Sequence, residues 1–268
     1  MVPHRSDDNP WTKVMCLFSD ESPKKIDCKG VRRMFADSFE HVESLDVFAG
    51  PDPTQESPSF TSIRDALAEL QAGRMIVIVD DEDGADEGDF MIAAEMVTPD
   101  AINLMATRAR GLICMAITSG RADALELSPM VLRNTTWGGR AFTVSVDAKG
   151  RGVTTGISAY DRAQTVLPIV AAHTRLEDLA RPGHTLPLRA RRNGVLERQG
   201  DTEAAVDLAR LGGVDPSGVI YEIANDDGAT ACFCSKYALK MVSVPDLALY
   251  RREFARRAGD ASVARFVG

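Results

Sequence analysis

Four segments of the chain carry residue types that do chemistry. Asp80-Asp81-Glu82-Asp83-Gly84-Ala85-Asp86-Glu87-Gly88-Asp89 sets seven carboxylates in ten residues, directly after an apolar run. Such a density repels itself unless a cation, a basic partner or water screens it. The order of acids and glycines does not fit an EF-hand loop. A solvated acidic loop is one reading; a ligand site beyond the carboxyl end of a strand is the other. Gly150-Arg151-Gly152-Val153-Thr154-Thr155-Gly156-Ile157-Ser158 runs into a helix and reads either as an anion cradle of backbone amides or as a structural turn. It matches neither dinucleotide-binding nor Walker patterns. In Arg198-Gln199-Gly200-Asp201-Thr202-Glu203, Arg198 and Thr202 suit a phosphate at a helix N-terminus, while Asp201 or Thr202 serves equally well as a plain helix cap. Glu222 ends a strand, as a general base or as a solvated edge residue. Cys114 lies mid-strand, where an inert core thiol is the default, and His184 reads as a turn or packing histidine.

These segments need elements to position them. Ser62 with Asp65 caps a helix whose Ile63, Ala66, Leu67 and Leu70 share one face until Gly73 stops it. Met75–Val79 is a strand-length apolar run, and Pro99 suits the first position of a helix. Leu112–Ile117 and the alternating Ala141–Val146 are predicted strands. Ser158 with Asp161 opens a helix that Pro168 interrupts or kinks. Thr202–Leu211 is predicted helical, Gly218–Ile223 and Met241–Val244 are strands, and Asp246–Arg256 is a closing helix. Interleaved helices and strands place the fold in the α/β class, closely mixed α+β, as one compact domain over 58–268. Residues 1–57 lack a sustained period and end in a proline-rich linker. They are expected to form a disordered or weakly structured extension, with a short helix near Val31–Phe39.

Composition narrows the function classes. The 268 residues carry 31 Lys and Arg against 39 Asp and Glu, a formal charge of −8. That balance argues against a nucleic-acid binder, but not against a small anionic substrate held in a local basic pocket. The five cysteines, Cys16, Cys28, Cys114, Cys232 and Cys234, form no CxxC pair, so a zinc ribbon and a disulfide scaffold are both poor readings. No apolar run approaches the roughly 20 residues of a membrane span, and a cytoplasmic location without membrane partners is expected.

In their order along the chain, Val79–Asp89, Gly111–Thr118, Phe142–Val146, Gly152–Ile157 with Asp161-Arg162, Arg181–His184, Arg198–Glu203 and Glu222–Gly228 resemble the 3,4-dihydroxy-2-butanone-4-phosphate synthase family of riboflavin biosynthesis. The resemblance spans about Ser62 to Arg252. It implies a homodimer with active sites at the subunit interface, converting ribulose 5-phosphate to formate and a four-carbon ketose phosphate with magnesium. It implies catalytic roles for Glu222, Glu87 and Cys114, and substrate contacts from Asp89, Arg198, Thr202 and Gly200. The chain's end soon after the last synthase-like helix is read as lacking a fused GTP cyclohydrolase II.

Three positions in two motifs depart from the family pattern. Gly84 and Ala85 replace Arg-Glu in the acidic loop, removing a carboxylate metal ligand. Asp201 replaces the ligand histidine of Gly-His-Thr-Glu and is left as the one candidate metal residue. The expectation is therefore a diverged member with a degraded magnesium site, repurposed for acid–base lyase or enolisation chemistry on a small oxygenated anion, as in specialised metabolism. The alternatives are the ordinary synthase and a non-catalytic binding or regulatory homologue.

Overall fold

The computed structural model describes residues 60–80, 88–108, 112–223 and 229–264. The expected extension 1–57 with its helix at Val31–Phe39, the acidic-loop residues Ala85 and Glu87, and Ala224–Gly228 lie outside the described residues.

The mixed α/β class holds. In chain order the elements are α1 (Ile63–Gln71), β1 (Ile76–Val79), β2 (Gly88–Ala93), α2 (Pro99–Arg108), β3 (Ile113–Ile117), α3 (Ser119–Ala124), β4 (Val146–Ala148), α4 (Ala159–Val170), β5 (Leu179–Arg189), α5 (Asp201–Leu211), β6 (Gly218–Glu222), α6 (Ala229–Tyr237), β7 (Lys240–Ser243) and α7 (Val244–Ala264). Among the described residues, seven strands form one sheet in the order β4-β5-β3-β6-β2-β1-β7. β1 runs parallel to β7 and β3 parallel to β5, while the remaining neighbours are antiparallel.

Side chains alternate across a strand, and that period sorts the core into two layers. Val77, Phe90, Ile92, Met115 and Ile117 pack on one face with Ile102 and Met105 of α2 and Val166 and Ile169 of α4. Ile76, Ile78, Met91, Cys114 and Ile220 pack on the other with Leu67 and Leu70 of α1, Leu208 of α5 and Leu247 of α7. α5 is sandwiched so tightly that Asp201 through Ala209 are all buried. Leu125, outside the regular elements, closes the first layer.

Several boundaries move for identifiable reasons. Ser62 caps α1 by accepting from the Asp65 N–H, as its spacing predicts. The strand predicted at Ala141–Val146 begins only at Val146. Thr143 donates to Pro187, which has no N–H to return, so this stretch makes only isolated bridges. Pro168 does not end α4, which continues to Val170. Arg121 of α3 donates to the carbonyls of Pro168, Ile169 and Ala171, supplying the donors that a helix C-terminus lacks. α7 extends well past Arg256.

Candidate active site

Period-2 alternation puts Cys114, Asp89 and Glu222 on the sheet face that α5 covers, in step with Met91 and Ile220. β2 and β6 pair with Asp89 directly opposite Glu222. Cys114 on the next strand stands opposite Ile220. α5 arrives at the same place by its N-terminus, which brings Asp201 over the strands. Glu222 is 61 % exposed in its side chain and marks the mouth, whereas Asp89 and Asp201 are buried.

Arg140 joins them. It follows the turn Trp137–Gly139 and spreads its guanidinium among three carboxylates. Nε lies 2.8 Å from Asp201 Oδ2, Nη1 donates to Glu222 Oε2 at 2.8 Å, and Nη2 donates to Asp89 Oδ2 at 3.3 Å. Burial works against the guanidinium charge, but Asp89, Asp201 and Glu222 outweigh it and raise the pKa further, so Arg140 is permanently charged. Burial, then the neighbouring Asp201, pushes the Asp89 carboxyl well above the usual range despite Arg140. Asp201 Oδ2 is buried without a well-directed hydrogen bond, although Arg140 Nε is close by. Burial pushes the Cys114 thiol up to about 12, so at neutral pH it is no thiolate nucleophile.

In the Arg198 segment the expected cap at Asp201 or Thr202 gives way to another arrangement. Gly200 is the N-cap of α5 and makes no side-chain cap, so neither Asp201 nor Thr202 caps the helix; both lie inside its first turn. The reason is steric: Gly200 leaves open the space into which Arg198 folds, and a Cβ there would meet Arg198 Nη1 at 2.7 Å. Arg198 pairs with the buried Glu203 and donates through Nε and Nη2 to the Gly138 carbonyl. It thereby ties the start of α5 to the turn that carries Arg140. Two of its five N–H groups are not used in these bonds. Thr202 is buried and its Oγ1 lies 3.3 Å from Asp201 Oδ1. Burial raises the Glu203 carboxyl, against the Arg191 N–H and Arg198.

The glycine-rich loop before α4 does cradle an anion, but the anion is the chain's own. Asp161 accepts from Gly156 N, Thr154 N and Thr154 Oγ1. His184 is a strand residue, not a turn one, and its ring sits 2.8 Å from Asp147 Oδ2.

Comparison with known proteins gives this constellation its context. The model of the 3,4-dihydroxy-2-butanone 4-phosphate synthase family matches residues 64–250. The chain belongs to that family. Riboflavin biosynthesis protein RibBA of Synechocystis is 50 % identical over 214 residues, covering 77 % of this chain and 38 % of that protein. RibBA of Aquifex aeolicus is 48 % identical over 204 residues, 74 % of this chain and 50 % of that protein. The chain thus spans half or less of the length of these curated relatives. A crystal structure of 3,4-dihydroxy-2-butanone 4-phosphate synthase in complex with two magnesium ions superposes with a TM-score of 0.67 at 36 % identity, covering 72 % of this chain and 98 % of that one. RibBX, a two-domain synthase from A. baumannii, superposes at 0.66 with 42 % identity, covering 71 % of this chain and 58 % of that one.

Magnesium gathers hard oxygen ligands at about 2.0–2.1 Å. Oxygens are present in this cluster, but Asp89, Asp201 and Glu222 lie around a guanidinium. Among the described residues, no group of three or more His, Cys, Asp or Glu is arranged to hold a metal ion. As they stand, the described carboxylates do not fit one. Arg140 itself is missing from the sequence-based set of site residues. It is a lone cation after two glycines, far along the chain from each partner, and no local pattern announces it. Also among the described residues, no helix is long and apolar enough to cross a membrane.

Proposed function

We propose that this chain catalyses the synthase reaction of its family, converting ribulose 5-phosphate to 3,4-dihydroxy-2-butanone 4-phosphate and formate. The reaction takes five carbons in and returns four plus one, so atoms balance without an external oxidant. It needs only ordered proton transfers and a carbon-skeleton shift. The observation that carries the reading is Asp89 opposite Glu222 on paired strands, one carboxyl buried with its pKa raised and the other at the open mouth. Acid and base placed side by side in different environments is the arrangement that enolisation requires. Glu222 takes the proton from the substrate carbon, and Asp89 gives one to the oxygen that becomes anionic. Arg198, Gly200 and Thr202, at the N-terminus of α5, hold the phosphate through the free N–H groups of Arg198 and the helix end. Cys114 packs behind the acid as a neutral thiol. Glu87 keeps its proposed acid–base role from the family pattern.

Identities of 48 and 50 % to riboflavin biosynthesis proteins favour this ordinary reaction over a repurposed one in specialised metabolism. A homodimer and a cytoplasmic location accompany the proposal as family properties. The test is formate release from ribulose 5-phosphate, followed with a formate dehydrogenase. Turnover on the order of 1–10³ s⁻¹ is expected for an enzyme on its own substrate. Glu222→Gln should abolish it while leaving calorimetric binding of the sugar phosphate intact. Absence of formate in the wild-type protein, under every cation condition, defeats the proposal.

A further inference from the structure

We infer that Arg140 is the resident cation of this site, neutralising Asp89, Asp201 and Glu222 so that the cluster does not recruit a divalent metal. The inference rests on reading the site as a synthase-type centre, but its geometry is independent of the substrate. All three kinds of guanidinium nitrogen are used, one per carboxylate, from β2, α5 and β6. The carboxylates sit at hydrogen-bond distance around a planar cation, not on the short shell of an octahedral one. A divalent ion entering the cluster would have to displace the guanidinium or share the oxygens with it. Sharing is opposed by charge, since two cations at such separation repel by several kcal/mol even at an effective dielectric of about 20.

The setting of Arg140 fixes it in place. The turn that presents it is held from below by Arg198 through the Gly138 carbonyl, and Arg198 is anchored in turn on buried Glu203. Asn134 Nδ2 donates to the Arg140 carbonyl at 2.8 Å, closing the loop from the other side. Two glycines at positive φ, Gly138 and Gly139, allow the tight reversal this needs. Arg140 is thus a positioned charge facing the mouth beside Glu222, where negative charge develops on substrate oxygens during enolisation. A fixed cation there lowers the energy of that charge without a Lewis acid.

The experiment is a manganese titration followed by electron paramagnetic resonance, on the full chain. Wild-type protein should show no manganese binding that Asp201→Asn removes. Arg140→Met leaves three carboxylates without their counter-charge and should tighten manganese binding about tenfold or more. Adding Asp201→Asn to Arg140→Met should remove the gain, which separates this cluster from the acidic loop at 81–87. If Arg140→Met gives no cooperative thermal transition, Arg140→Lys decides instead: its single prong should give a smaller gain in the same direction. Unchanged manganese affinity in the folded variant, or a wild-type affinity that Asp201→Asn abolishes, overturns the inference. Formate release serves as the other readout. A wild-type rate unaffected by a chelator is expected, and a rate lost to chelator and restored by magnesium also overturns it. No formate under any condition defeats the synthase reading alone, since the titration still judges Arg140.

Discussion

Two helix N-termini in this molecule each carry a buried aspartate, and their surroundings are opposite in kind. Asp161, in the first turn of α4, is satisfied by its own loop: Gly156 N at 2.9 Å and both donors of Thr154, at 3.3 and 3.1 Å, lie within seven residues of it. Asp201, at the start of α5, depends on Arg140 from a distant segment, shares that arginine with two other carboxylates, and leaves Oδ2 without a well-directed bond. A carboxylate completed locally holds a turn together. One completed at long range and incompletely keeps an acceptor unused. The difference teaches which acidic residue in this chain is completed by its own loop and which depends on a remote segment, a distinction that residue type alone does not make.

The strongest way to sharpen that contrast is a third aspartate on α5. Asp207 is fully buried and accepts from Val195 N at 2.8 Å, Arg251 Nη1 at 2.6 Å and Arg210 Nη1 at 3.1 Å. Asp207→Ala strands buried donors and should cost about 3–5 kcal/mol in urea unfolding, the range for breaking a buried pair. A loss below about 1 kcal/mol would mean that α5 is not held by its aspartates at all.

Next in size is the pH dependence, where the two regions should show opposite slopes. For Asp161, burial pushes the carboxyl up, but the bonds from Gly156 and Thr154 outweigh it and hold it below its usual value. Its contribution is therefore present above the unfolded value of about 3.9 and is lost as pH falls through the folded one. Asp161→Asn should lower the Tm at neutral pH by several degrees and flatten the acid limb of the stability curve. Asp89 is raised instead, by burial and by Asp201. The folded state then binds more protons than the unfolded one, and stability declines as pH rises above about 3.9 until Asp89 ionises in the fold. Asp89→Asn should remove that decline. Identical pH profiles for the two variants would sink the comparison.

The smallest stability effect is expected at Asp201 itself. Asp201→Asn keeps the shape, relieves repulsion from Asp89, and leaves Arg140 two carboxylates. The change in unfolding free energy should stay within about 1 kcal/mol while turnover falls at least tenfold. A large stability loss with unchanged turnover would assign Asp201 to the scaffold.

Much of this arrangement is legible in the sequence. Ser62 and Asp65, Pro99, and Ser158 with Asp161 mark helix starts because caps act within one turn. The apolar runs at Ile76–Val79 and Ile113–Ile117 mark buried strands because burial on both faces leaves no alternation. β2 and β5 are hidden by single residue types. Asp89 gives β2 the character of an acidic loop, and Pro182 and Pro187 give β5 that of a turn, although β5 runs from Leu179 to Arg189. Of the two readings of the loop before α4 the structural turn holds, through its bonds to Asp161, while the cap reading at Asp201 or Thr202 gives way to Gly200, a choice that local spacing cannot weigh.

The ordered motifs from Val79 to Gly228 determined the family, and with it the three segments that meet at the site, because each motif is a short stretch whose residue order is visible without folding. Only the tertiary structure decided what lies between them. Register sets Asp89 against Glu222, α5 lowers Asp201 over the pair, and a turn at Gly138 and Gly139 brings Arg140 into the centre. Electrostatic partnership depends on distance in space, and a charge brought in from a remote segment has no signature in the chain that carries it.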